Sequence, residues 1–137
     1  MNPNDNIKII IADDSPKYIE GLKVLLSTSS KYQILEVCEN GRELIQSSKL
    51  HLADLLLIDI NMPEMNGLEA ARIIDVDYPH LPMIAITMYQ DELYLKDIIS
   101  MGFNAFVHKP EAANNLLIVI DQVLNKKFVF PNNLKTQ

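Results

Sequence analysis

Short, nearly continuous apolar runs place the tightest bound on what this chain can fold into. Residues 7–12 (IKIIIA), 54–58 (DLLLI), 82–86 (PMIAI) and 105–108 (AFVH) lack the alternation of a strand with one wet face. Such runs suit strands buried on both faces, as in a parallel sheet. Residues 32–37 (YQILEV) make a weaker strand, expected nearer an edge. Between the runs the period lengthens toward 3.6. Ile19, Leu22, Leu25 and Leu26 share one helical face, and Ser15-Pro16 supplies a capping hydroxyl with proline at the first helical position. Residues 66–77 open with Asn66-Gly67 and set Leu68, Ala71 and Ile74 on one side. Residues 90–101 end before Gly102, a suitable left-handed cap, and residues 112–126 close the alternation. The pattern is (βα)5, which implies right-handed crossovers and helices on both sheet faces.

A chain of 137 residues with 48% apolar content fits one domain around a sizeable core. Its net charge of -6 argues against direct binding to nucleic acid or to an anionic membrane by this chain alone. Cys38 is the only cysteine, which excludes an internal disulfide and fits a reducing cytoplasm. Inside a strand (ILEVCEN) it reads as a small core residue rather than a nucleophile. The opening MNPNDNIK lacks the order of a signal peptide, and no apolar run approaches the ~18 residues needed to cross a bilayer. The expectation is a cytoplasmic domain with no membrane partner.

The apolar runs stop at residues able to do chemistry. Asp13 and Asp14 follow KIIIA, Asp59 follows DLLLI, Thr87 follows PMIAI, and Lys109-Pro110 follows AFVH. In that order and spacing, KIIIADDS, DLLLIDINMPEMNG, MIAITM and FNAFVHKP resemble the response-regulator receiver domain, from about residue 7 to residue 125. The resemblance implies a flavodoxin-like doubly wound parallel sheet of strand order 2-1-3-4-5. In such sheets ligands gather beyond the carboxyl ends of the strands, at the switch in strand order, so all these groups are expected at one edge.

Three carboxylates brought together repel, each pair by about 4 kcal/mol at ~4 Å and an effective dielectric near 20. A cation must neutralise them, and all-oxygen ligands favour Mg²⁺ over zinc. The resemblance implies that Asp14 and Asp59 ligate the metal directly, Asp13 through water, and Asn61 through its backbone carbonyl. Asp13 and Asp14 taken alone also suit capping of the first helix. Asp59 is the expected phosphoacceptor, since a carboxylate attacking phosphorus forms an acyl phosphate. The metal and Lys109 would neutralise the transferred oxygens. In the family the Lys109–Pro110 peptide is cis. Thr87 and Phe106 carry the switch: the hydroxyl reaches the phosphoryl group, and the aromatic three residues before the lysine turns inward after it. Phe106 lacks the hydroxyl of the commoner tyrosine, and its other reading is a static core aromatic. Phosphorylation would bias an existing equilibrium.

Asn61 and Tyr89 are expected beside the path of hydrolytic water. Met62-Pro63 and Asn66-Gly67 read as turn residues, Met62 and Met65 as packing, and His51, His80 and His108 share no metal-ligand spacing. Two helices carry surplus apolar surface. In 112–126 the inward face is read as Leu116, Leu117, Ile120, Val123 and Leu124, leaving Ile118 and Val119; in 90–101 the surplus is Leu93 and Tyr94. That surplus suits scattered surface residues or a homodimer face on helix four, strand five and helix five. A haloacid-dehalogenase phosphatase also uses Asp, Mg²⁺ and Lys, but its second Asp two residues on is Asn61 here. A docking-only module has no use for the acidic, Thr and Lys positions.

ADDSPKYIEGLKVLL and KKFVFPNNLKTQ resemble the NarL/FixJ subgroup. The expectation is a receiver over 1–126 and a tail or linker over 127–137, phosphorylated by a sensor histidine kinase. DNA is contacted only through a helix-turn-helix domain absent from this chain. A stand-alone receiver is the other reading.

Overall fold

The computed structural model describes residues 6–88 and 92–131. Its elements run β1 (Ile7–Ala12), α1 (Pro16–Leu26), β2 (Tyr32–Cys38), α2 (Gly41–Ile45), β3 (Leu55–Asp59), α3 (Gly67–Asp77), β4 (Met83–Thr87), α4 (Glu92–Ser100), β5 (Ala105–His108) and α5 (Ala112–Leu124). Short 3-10 turns at Leu50–Leu52 and Lys109–Glu111 join them. The five strands lie parallel in the order β2-β1-β3-β4-β5. The expected order and the edge position of β2 therefore stand, and β2 carries a bulge where its register against β1 shifts between Ile9 and Ile10.

Alternation along each strand divides the core into two. Ile10, Ala12, Leu56, Ile58, Met83, Ala85 and Phe106 face one way, with Leu44, Ala70, Ala71, Ile74, Leu95 and Ile98 from α2, α3 and α4. Ile9, Ile11, Leu55, Leu57, Ile84, Ile86 and Val107 face the other, under Leu22 and Leu26 of α1 and Leu116, Val119, Ile120 and Val123 of α5. Both faces are dry, which is why the sequence runs read as continuously apolar.

Local chemistry places the helix ends. Ser15 caps α1 by accepting the Tyr18 amide at 3.2 Å, with Pro16 in the first turn, as the sequence predicts. Asn40 and Asn66 cap α2 and α3 in the same way. Gly67 is needed for space: a Cβ there would sit 2.3 Å from the carbonyl oxygen of Asp59.

Two details depart from the sequence reading. Val119 is buried while Leu117 and Leu124 lie at the flanks, because the i, i+3, i+4, i+7 stripe from Leu116 runs through 119, 120 and 123. Ile118 is 61% exposed, as expected. The expectation for Leu93 and Tyr94 lies outside the described side chains, as does that for Tyr89. Beyond α5 the chain does not simply leave the domain. Lys126 takes a left-handed φ of 66°, and the amides of Lys126 and Lys127 bond back to Val123 and Gln122 at 2.9 and 3.0 Å. This is a Schellman turn with lysine in the position glycine usually takes. It folds residues 128–130 against the outer edge of β5. Phe106 N–H donates to the Val129 carbonyl and Val129 N–H to the Asn104 carbonyl, each at 3.0 Å. Val129 is thus a single parallel bridge on an edge strand that would otherwise expose its backbone.

Candidate functional site

Four strand ends meet at the carboxyl edge of the sheet. Asp13 follows β1, Asp59 ends β3, Thr87 ends β4 and Lys109 follows β5. Parallel register makes this inevitable: Ala12 pairs with Ile58, Asp59 with Ile86, and Thr87 with His108. Asp13, Asp59 and Thr87 are buried, and Asp14 is exposed.

The Lys109 ammonium lies 3.0 Å from Asp13 Oδ2 and 3.4 Å from Asp59 Oδ2. Asp13 Oδ1 accepts the Ser15 amide at 2.8 Å, so one carboxylate serves both the helix entry and the lysine. Asp59 Oδ1 accepts the Asn61 amide at 3.4 Å, more weakly. Burial and then the neighbouring Asp13 push the Asp59 carboxyl up from 3.8 to about 6, against the opposing pull of Lys109 and the Asn61 amide. A lone ammonium therefore under-compensates the pair. One oxygen from each of Asp13, Asp14 and Asp59 lies within 4.8 Å of the other two. An all-oxygen donor set with surplus negative charge, open to solvent on the Asp14 side, fits a hard divalent cation.

The Lys109–Pro110 peptide is trans, which corrects the cis geometry expected from the family. Lys109, Pro110 and Glu111 form a 3-10 turn with proline in its opening positions, where the fixed φ of proline suits a helical start. Trans is also the isomer that X–Pro bonds favour, by about 0.5–1 kcal/mol. The lysine reaches both carboxylates from this turn.

Phe106 is buried in the cluster on the α2, α3 and α4 face. Asn61 is exposed beside Asp59. Cys38 is buried, and burial followed by Glu36 and Glu43 push its thiol up to about 12, which fits packing and not nucleophilic chemistry. Of the histidines, His108 at the end of β5 donates from Nε2 to the carbonyl of Met88, the residue after β4, at 2.8 Å.

Sequence reasoning missed Tyr18. Its ring centroid lies 4.4 Å from Lys109 Nζ, and its hydroxyl faces the Lys109 carbonyl at 3.5 Å. The only signal was an aromatic in the first turn of α1, which reads as core.

The response regulator receiver domain family matches residues 9–121, and the chain belongs to that family. It is 31% identical over 136 residues to the transcriptional regulatory protein ComA of Bacillus subtilis, covering 95% of this chain and 64% of that protein. It is 29% identical over 121 residues to the transcriptional regulatory protein DegU of Brevibacillus brevis, covering 88% of this chain and 51% of that one. The chain spans about half to two-thirds of the length of these relatives. Among solved structures, the RcsB response regulator of Salmonella typhimurium superposes with a TM-score of 0.85 at 23% identity, over 96% of this chain and 66% of that one. The two transcriptional regulators are consistent with the NarL/FixJ subgroup. Among the described residues, no helix is long and apolar enough to cross a membrane.

Proposed function

We propose that Asp59 is the phosphoacceptor of this receiver, taking its phosphoryl group from a phosphohistidine of a sensor kinase. One observation carries the assignment: a buried carboxylate at the sheet's carboxyl edge shares a single ammonium with a second buried carboxylate. Asp59 attacks phosphorus, and Lys109 turns its charge to the incoming oxygens. Asp13, Asp14 and Asp59, with the Asn61 carbonyl expected from the family, are the residues that would hold Mg²⁺. Bound there, the ion supplies electrostatic stabilisation of the transferred group. Thr87 and Phe106 act as the switch, the hydroxyl following the phosphoryl oxygens and the ring following the hydroxyl. The chain is a signalling module and not a turnover enzyme, since the position two residues after Asp59 holds an amide, Asn61, and no acid.

The output is transcription in the protein to which this receiver belongs, as the names of ComA and DegU suggest for them. DNA is contacted by residues outside this acidic domain, and the protein works in the cytoplasm. A second copy pairs through α4, β5 and α5 by side chains such as Ile99 and Ile118, because Val129 holds the β5 edge.

Intact mass after incubation with Mg²⁺ and acetyl phosphate tests the central claim. One phosphate on the wild type and none on Asp59→Asn is the expected result. Equal labelling of both proteins, or release of inorganic phosphate by both, refutes it.

A further inference from the structure

We propose that Tyr18 is a positioning residue for Lys109, its ring holding the ammonium against the Asp13–Asp59 pair. The proposal rests on Asp59 being the phosphoacceptor. Lysine carries its charge on a flexible four-carbon stem, so aiming it demands contacts on more than one side. Two carboxylates lie on one side, at 3.0 and 3.4 Å. The Tyr18 ring supplies another, with its centroid 4.4 Å from Nζ, well inside the ~6 Å range of cation–π attraction.

The residue that carries the ring is anchored chiefly through its backbone. Its backbone amide is tied to the Ser15 cap at 3.2 Å, and Ser15 is tied to Asp13 at 2.8 Å. Its hydroxyl faces the carbonyl of the lysine it supports, at 3.5 Å. Asp13, Ser15, Tyr18 and Lys109 thus close a circuit from the end of β1, through the first turn of α1, to the turn after β5. The ring is half-buried, and the lysine side chain is only 10% exposed. A cleft of about 170 Å³ between α1 and the start of α5 lies beside the pair, lined by Tyr18, Gly21, Leu25, Lys109 and Ala113. Removing the ring opens that cleft onto the ammonium, and hydration then competes with the carboxylates for it. Burial, Asp13 and Asp59 all push the Tyr18 phenol up, to about 12, so the ring beside the ammonium stays neutral.

A purely packing side chain of similar size lacks the ring's quadrupole, and this separates a positioning role from a structural one. Tyr18→Leu, Tyr18→Phe and mono-, di- and trifluorinated phenylalanine at position 18 form the test series. Two readouts are taken. The first is the ring-current shift of the Lys109 ε-methylene protons in lysine-labelled protein with no phosphodonor present. The second is the maximal rate of phosphoryl incorporation at saturating Mg²⁺ and acetyl phosphate. A cation–π contact of typical strength corresponds to about a 2- to 30-fold change in rate. Tyr18→Leu is expected to lose the ring-current shift and to slow incorporation by about that factor, with donor half-saturation unchanged. Tyr18→Phe is expected to recover most of both, and each added fluorine to lower the rate at nearly constant ring size. Tyr18→Leu at the wild-type rate, or a fluorinated series with no trend, overturns the role of Tyr18. A wild type that takes no phosphoryl group overturns the phosphoacceptor reading itself and this inference with it. The fluorinated series keeps the proposal falsifiable if Tyr18→Leu fails to fold.

Discussion

Asp59→Asn should stabilise the fold at neutral pH, even though it removes the group on which the proposed activity depends. The Asp59 carboxyl is raised from 3.8 to about 6, first by burial and then by Asp13. A carboxyl so displaced carries its charge at a cost of about 3 kcal/mol relative to the unfolded chain. The site opens to solvent beside exposed Asn61 and Asp14, so the expected figure is discounted to about 1.5–3 kcal/mol. The sign follows from proton counting. Between pH 3.8 and about 6 the folded state binds more protons at this position than the unfolded state, so stability falls as pH rises through that window. The penalty is complete above the folded value and absent below the unfolded one. Asparagine carries no charge and keeps an oxygen for the Asn61 amide, while Lys109 retains Asp13 at 3.0 Å.

Urea denaturation of both proteins in EDTA, at pH 4, 5, 6 and 7.5, reads this directly. The curves should lie close together at pH 4 and separate progressively. At pH 7.5 the variant should be higher by about 1.5–3 kcal/mol, or roughly 4–12 °C in melting temperature. Added Mg²⁺ should narrow the gap at pH 7.5 by stabilising the wild type more, because a ligand that binds only the folded state shifts unfolding by mass action. Equal stability at pH 7.5, or a gap widest at pH 4, refutes the argument that uncompensated charge at Asp59 destabilises the fold.

Lys109→Met removes the ammonium shared by Asp13 and Asp59; phosphoryl incorporation should fall at least about tenfold, and carboxyl-carbon NMR should place Asp59 above its present value of about 6. Gly67→Ala places a methyl 2.3 Å from the Asp59 carbonyl oxygen and 2.8 Å from Ile58 Cγ2, and should cost about 1–3 kcal/mol in denaturant unfolding. Val129→Pro removes the amide donated to Asn104; it should cost about 1–3 kcal/mol and hasten hydrogen exchange at the Phe106 amide, which bonds the Val129 carbonyl.

The sequence makes the sheet legible because burial on both faces leaves a direct trace, an unbroken apolar run. Asp59 and Thr87 then follow by position, as the residues at which β3 and β4 stop, one place beyond the runs read as strands. The features that escaped depend on single contacts or on small angular differences. Val119 and Leu117 differ by two positions on α5, and only the placement of the helix on the sheet decides which is covered. The β5 edge partner is one residue, Val129, delivered by a left-handed Lys126 that no glycine announced. The α2 helix spans five residues, too few for a period to emerge from GRELI. Tyr18 serves the site through the face of its ring, and nothing in a linear pattern separates that from packing.

Phe106 sets the energy scale for the proposed switch. The residue is 8% exposed within a cluster that also holds Ile58, Ala85 and Leu95. Turning such a ring into water forfeits about 1.5–3 kcal/mol of burial. A hydrogen bond from Thr87 to a charged phosphoryl oxygen is worth about the same, 1.5–3 kcal/mol. The two terms act in the same direction: burial already holds the ring inward, and in the proposed switch the Thr87 bond adds to that bias, so the outward ring is the minor state that phosphorylation depletes further. The backbone at Phe106 is meanwhile held on both sides, by the register with Ala85 and by the bond to Val129. Any motion of the ring in the proposed switch would therefore be side-chain rotation alone. Any displacement passes to what packs over the same cluster, and Phe130 of the folded-back tail is among those residues. Under the proposed switch, a change at Asp59 would reach Phe130 through side-chain packing, with strand register unchanged.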